Sequence, residues 1–116
     1  MQIKLLKSKI HRAKVTDANL DYEGSIAIDS DLMKAANITN YEKVHVLDIT
    51  NGARLETYVI PDASGSKSIC INGAAAHLVS TGDRVIILSY CSIDYENFNN
   101  HQPKIIRLNE QNNIID

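Results

Sequence analysis

The segment richest in chemistry is Tyr22-Glu23-Gly24-Ser25, set directly before the apolar run Ile26-Ala27-Ile28. A Gly-Ser step ahead of a strand is, on its own, an ordinary turn. The same pair also carries a reaction. The Ser25 hydroxyl can attack the Gly24 carbonyl through a five-membered ring, moving the acyl group from nitrogen to oxygen. Glycine on the acyl side leaves that carbonyl open and lets the backbone take conformations that other residues avoid. β-Elimination of the ester would break the chain, releasing the Gly24 carboxylate and leaving dehydroalanine at position 25. Hydrolysis with loss of ammonia then leaves a pyruvoyl group, a carbonyl cofactor made from the protein itself.

Other residues could serve such a group. Strand geometry places residues two apart on one face, so Lys9 and His11 share a face of the first strand and Arg54 shares one with Tyr58. If those faces meet, two cations, an imidazole and a phenol converge. An arginine holds a carboxylate through two parallel hydrogen bonds, which would suit a small dicarboxylate. Lys7, Lys9 and Arg54 also read as solvated charges on strands and beside a turn. In Asn72-Gly73-Ala74-Ala75 a turn leads into a helical start, whose unpaired N–H groups can stabilise a developing negative oxygen. A packed turn of small residues is the plainer reading. His45, His77 and His101 show no metal-ligand spacing. Cys70 and Cys91 lie in apolar strands, read as core thiols, and form no CxxC pair. Phosphate-loop, dinucleotide and nucleophile-elbow patterns are missing from the sequence.

The elements that must position these residues repeat mostly with period two. Ile3–Val15 reads as a long strand with one irregular step, and Val15–Asp21 as turn chemistry. Ser25–Asp29 is a strand, followed by a short helix Leu32–Ala36 capped by Ser30 or Asp31. Lys43–Thr50 and Ala53–Ile60 form a hairpin through Asn51-Gly52, for which a type I′ turn is expected. Ser68–Ile71, Arg84–Ile93 and Lys104–Leu108 complete the strands, Ala74–Leu78 forms a helical turn or two, and the polar tail Asn109–Asp116 is expected to fray. Many short strands separated by turns indicate a mainly β protein with a closed or nearly closed barrel.

At 116 residues and 12.9 kDa the chain fits one domain, and 44% apolar with 22% charged residues excludes general disorder. A net charge of −2 and a pI near 6.0 argue against a nucleic-acid partner. No apolar run reaches the ~20 residues of a membrane span, and the N-terminus lacks a signal-peptide core. A soluble, cytoplasmic protein is expected.

Several motifs occur in order between about residues 3 and 93: Lys9-Ile-His11-Arg12-Ala-Lys-Val-Thr16, Tyr22-Glu-Gly24-Ser25, Ile28-Asp29, Thr50-Asn-Gly-Ala-Arg54, Thr57-Tyr58, Ile71-Asn-Gly-Ala-Ala-Ala-His77 and Gly82-Asp83-Arg-Val-Ile-Ile. With them the sequence resembles the pyruvoyl-dependent aspartate 1-decarboxylases. Ile26 stands where some relatives have cysteine, and the chain beyond Asp94 carries no motif. The resemblance implies a small six-stranded double-psi β-barrel with short helices. It implies a homotetramer with active sites between neighbouring subunits, and self-cleavage into 1–24 and 25–116. The implied cofactor is a pyruvoyl group derived from Ser25, with neither metal nor PLP. The implied reaction converts L-aspartate to β-alanine and CO₂ for pantothenate synthesis. Ser25 is then the cofactor precursor, Tyr58 the proton donor, and Thr57 with Gly73, Ala74 and Ala75 substrate contacts. Lys9, Arg54 and Asn72 complete the expected substrate site, and His11 joins Gly24, Ser25 and Thr57 in processing. The alternative is a non-catalytic barrel module that binds an anionic ligand or partner. Its basis is the basic first strand, since five of the twelve Lys and Arg residues fall within the first fourteen positions.

Overall fold

The computed structural model describes all residues 1–116. Eight strands form one sheet: β1 (Gln2–Lys14), β2 (Asp17–Asn19), β3 (Ser25–Asp29), β4 (Lys43–Asp48), β5 (Arg54–Asp62), β6 (Ile69–Asn72), β7 (Arg84–Asp94) and β8 (Lys104–Arg107). Their order is β2-β6-β3-β5-β4-β7-β1-β8. The six inner strands correspond to the expected six-stranded barrel, and short β2 and β8 extend it at either end. Closure follows from connectivity. β1, near one end of this order, runs through Val15 and Thr16 into β2 at the other end, and the Thr16 N–H donates to the Ile69 carbonyl of β6 at 2.9 Å. The sheet therefore wraps onto itself, which leaves few free edges.

Period-two alternation decides which residues enter the barrel. Val44, Val46 and Asp48 of β4 point inward, as do Val85 and Ile87 of β7, while His45, Leu47, Ile86 and Leu88 are half-buried on the opposite face. The interior is mostly isoleucine and valine, including Ile10, Ile26, Ile28, Ile69 and Ile71. β-Branched residues suit this role because they pack well on a pleated surface. The only α-helix, α1 (Ser30–Ala36), buries Leu32, Met33 and Ala36. Its N-cap is Asp29 rather than Ser30 or Asp31. Asp29 is fully buried, and its carboxylate accepts from the N–H groups of Asp31, Gly65 and Lys67 at 2.8, 3.1 and 2.9 Å. Burial pushes this carboxyl up, but these donors outweigh it and hold the pKa below the usual carboxylate value.

Local chemistry redraws several expectations. The segment read as a turn after Val15 contains β2, held by parallel pairing with β6. The first strand has two irregular steps, between Leu6 and Ser8 and between Ile10 and Ala13. At the second, Arg12 takes φ 66°, a left-handed conformation that a β-bulge demands. The Asn51-Gly52 hairpin is not type I′, because only Gly52 has positive φ, at 79°. Instead the Asp48 carboxylate accepts from the Thr50 and Asn51 N–H groups, stopping β4 two residues early in an Asx turn. The tail is tied down rather than frayed. Buried Asn112 accepts from the Lys14 N–H and donates to the Lys14 and Lys67 carbonyls at 2.8–2.9 Å. Cys70 and Cys91 are half-buried free thiols rather than core residues: Ile69 and Ile71 take the inward positions beside Cys70, and Cys91 lies between exposed Tyr90 and Ser92.

Candidate active site

Ser25 opens β3, directly opposite Asn72 on antiparallel β6. It is 3% exposed, and its Oγ accepts from Asn72 Nδ2 at 3.1 Å. Next along the chain, Gly73 begins a 3₁₀ turn (Gly73–His77) with φ 75°. It lies flat against the Gly24–Ser25 region. A Cβ on Gly73 would come within 2.7 Å of Gly24 Cα and 2.8 Å of Gly24 N. Two glycines in contact bring the 3₁₀ turn against the backbone at the Gly24–Ser25 bond. The expected role of Gly73 was substrate contact; the structure gives it this packing role as well.

Adjacent residues of β5 flank the bond on two sides. Thr57 is cross-strand from inward-facing Val44 and Tyr58 from outward-facing Lys43, so the two side chains leave the strand in opposite directions. Thr57 lines a cavity of about 290 Å³ with Gly24, Asn72, Ala74 and Ala75. Tyr58 lines a second, of about 550 Å³, with Ser25, Asn72, Tyr22 and Tyr41. The parallel pair Ile26–Val59 places Ser25 level with Tyr58 on neighbouring strands. Asn72 is common to both cavities, and the Gly24–Ser25 bond separates them. The Thr57 hydroxyl shares Gly24's cavity without hydrogen-bonding to it. Tyr58, 38% exposed, has the Tyr41 ring 6.3 Å from its own.

Lys9, His11 and Arg54 lie elsewhere. Register makes Lys9, Leu88, His45 and Glu56 one row across β1, β7, β4 and β5, all on the outer face. Arg54 shares its outward face with Tyr58, as expected, and Lys9 lies on the same outer surface, but strand separation keeps Lys9 from converging with Tyr58. At ~4.8 Å per strand, Lys9 stands roughly 14 Å from the Glu56 position. Arg54 opens into a cleft of about 370 Å³ with His45, Leu47, Glu56, Leu88 and Tyr90. His11 Nδ1 is buried without a partner. Burial, then the charges of Lys9, Arg12, Arg107 and Arg84, push its pKa down, so the ring is neutral at pH 7. The single chain therefore gathers Ser25, Tyr58 and Asn72 on one side of the bond and Gly24, Thr57, Ala74 and Ala75 on the other. It leaves the expected carboxylate-binding cations on its outer face. Sequence reasoning missed Tyr41, Glu56 and His45 at these cavities. The period-two placement of Glu56 between Arg54 and Tyr58 was the available signal.

The chain matches the family model described as aspartate decarboxylase over residues 1–115. It belongs to the aspartate decarboxylase family. It is 58% identical over 115 residues to the aspartate 1-decarboxylase of Clostridium kluyveri, covering 99% of this chain and 91% of that one. The aspartate 1-decarboxylase of Caldicellulosiruptor bescii is 56% identical over 115 residues, 99% of this chain and 90% of its own. That of Clostridium novyi is 57% identical over 114 residues, 98% and 93%. Matches of this extent include the 94–116 segment, which carried no motif. Membership in a decarboxylase family sets aside the alternative of a non-catalytic binding module. No helix is long and apolar enough to cross a membrane.

Proposed function

We propose that this protein decarboxylates L-aspartate to β-alanine and CO₂, the step that supplies β-alanine for pantothenate, using a pyruvoyl group made from Ser25. The observation that carries the reading is the buried Ser25 hydroxyl hydrogen-bonded to Asn72 beside the Gly24–Gly73 contact. The site fits such a group. A carbonyl at residue 25 would keep the Asn72 amide as donor, and no side chain occupies the Gly24–Gly73 contact.

In processing, Ser25 Oγ attacks the Gly24 carbonyl, and elimination leaves Gly24 as a new carboxyl terminus and residue 25 as the amino end of 25–116. Asn72 orients the hydroxyl, and Thr57, which lines one cavity with Gly24, donates to the carbonyl oxygen. Neutral His11, with an unpartnered Nδ1, lies away from Gly24–Ser25 in one chain, so its role in processing would be exercised from a neighbouring chain. A pyruvoyl group at residue 25 would supply an electrophilic carbonyl for the substrate amine and an electron sink for decarboxylation. Tyr58, on the same side of the bond as residue 25, returns the proton to carbon; an ordinary phenol stays protonated near neutrality. The N–H groups of Gly73, Ala74 and Ala75, at the start of the 3₁₀ turn, hold a substrate oxygen.

Arg54 and Lys9 bind the substrate carboxylates, with Arg54 on the β-carboxylate. Because one chain leaves them on its outer face, the complete site forms where that face meets a neighbouring chain's Ser25 region, in a cytoplasmic homotetramer. Intact mass under denaturing conditions, paired with a β-alanine assay, tests the reading. Two fragments, 1–24 and 25–116, and β-alanine release from L-aspartate are expected. A single 12.9 kDa chain that releases none would overturn it.

A further inference from the structure

Arg54, Glu56 and Tyr58 alternate outward along β5. Glu56 lies roughly 7 Å from Arg54 along the strand, within reach of an arginine side chain. A free carboxylate there would compete with any substrate for the guanidinium. Glu56 is not free. Its Oε1 lies 2.9 Å from His45 Nε2 and its Oε2 lies 3.0 Å from Lys43 Nζ. Both partners come from β4, His45 directly opposite Glu56 and Lys43 on the diagonal, opposite Tyr58. The His45 ring is buttressed by Tyr90, edge-on at 5.4 Å between centroids. Arg54 forms no ion pair within the chain, although it and Glu56 line one cleft.

We propose that Lys43 and His45 are positioning residues for substrate recognition: by occupying both oxygens of Glu56 they keep Arg54 open for a substrate carboxylate. This rests on the reading of Arg54 as the carboxylate grip. The hydrogen bond from His45, and then Lys43, also keeps Glu56 ionised, its pKa held below the usual value. A glutamate that is charged and uncaptured turns toward the nearest cation, and in this row that is Arg54. Lys43 and His45 thus act on the substrate through two intervening residues and touch neither substrate nor cofactor.

The test uses the fully processed enzyme and a set of variants: Lys43→Ala/His45→Ala, the same pair with Glu56→Gln, and Arg54→Ala. The double variant should raise KM for aspartate roughly three- to tenfold, as expected for exposed ion pairs lost and exchanged, with kcat changed less than twofold. Adding Glu56→Gln should return KM to the wild-type value, because a neutral amide no longer competes for Arg54. Rescue by a third substitution is not the behaviour of a damaged fold; Lys43→Gln/His45→Gln, which keeps side-chain bulk, should behave like the alanine pair. An unchanged KM in the double variant, with Arg54→Ala still raising it, overturns the positioning role alone. So does a raised KM that Glu56→Gln fails to restore. An unchanged KM in Arg54→Ala removes the grip itself, and the positioning role with it.

Discussion

The two sides of β5 show how differently this molecule prepares its two tasks. At Gly24–Ser25 an exposed glycine meets a buried serine, two glycines touch, and a side-chain amide donates to a hydroxyl that water barely reaches. On the outer face of β5, β4, β7 and β1 the groups are charged, half-exposed and spread along a row. The acyl shift proposed for this bond needs hydroxyl and carbonyl held in one close-packed geometry, and one barrel packs Gly24, Ser25, Asn72 and Gly73 together. Gripping a dianion needs cations that remain unpaired until substrate arrives. Keeping unpaired cations inside a barrel is costly, and Lys9 and Arg54 lie on its outer face.

Ser25→Ala probes the first region with the largest expected effect. The attacking oxygen is lost while the packing around a 3% exposed side chain is barely altered. A folded, uncleaved chain with no decarboxylase activity is expected. Two fragments from this variant, seen by denaturing mass spectrometry, would mean that Ser25 does not make the break.

Arg54→Ala probes the second region and should separate from it cleanly. Cleavage at Gly24–Ser25 should proceed, while kcat/KM for aspartate falls by roughly two to three powers of ten, as for a charge-assisted pair in a partly desolvated site. The β-carboxylate is the better ligand for Arg54 because it keeps its charge throughout. A tight bond to the departing α-carboxylate would stabilise the ground state more than the transition state. A complex with an unreactive aspartate analogue, showing Arg54 on the α-carboxylate, would reverse the assignment.

Tyr58→Phe sits on the seam between the regions. It removes a hydroxyl that maturation does not use, so fragments should form at the wild-type rate while β-alanine production falls. Reprotonation at the wrong atom should then consume the cofactor through transamination. Undiminished β-alanine output would assign the proton to water or another group.

The sequence made the first region more legible than the second, for a physical reason. Ser25, Gly24, Asn72 and Gly73 lie in two short segments where turn chemistry and local contact coincide, so their types alone suggest proximity. Period-two alternation also placed Arg54 and Tyr58 correctly on one face. It could not show that Lys9 shares that face two strands beyond β4, because register across β7 and β4 is set by pairing rather than by local pattern. The same limit hid Glu56 between its two captors. β2 and the anchored Asn112 were missed because three-residue pairing and a buried amide leave no periodic trace. The expected I′ turn failed because the Asp48 side chain satisfied the turn's N–H groups first.

That Asp48 carboxylate gives the smallest effect and asks whether the hairpin carrying Arg54 can be strengthened without touching the scissile bond. Asp48 is 2% exposed, and its Oδ2 has no hydrogen-bond partner. Burial, and then the neighbouring Asp83, raise its pKa to about 6 from an ordinary 3.8. Between those two values the folded chain binds a proton that the unfolded chain has released. Stability contributed by this group therefore falls as pH rises from about 4 to about 6, and the penalty is constant above that. Asp48→Asn keeps a carbonyl oxygen to accept from Thr50 and Asn51 and removes the buried charge. Its gain over the wild type should be on the order of 1–2 kcal/mol at pH 8, or about 4–8 °C in Tm for each kcal/mol. Near pH 4 the gain should disappear, since the wild-type group is then protonated as well. Cleavage at Gly24–Ser25 should be unaffected, because the Asp48–Ala53 turn and the Ser25 cavity share no residue. Equal melting temperatures for the two proteins at pH 8 would show that Asp48 carries no buried charge, and that the hairpin bearing Arg54 is held without strain.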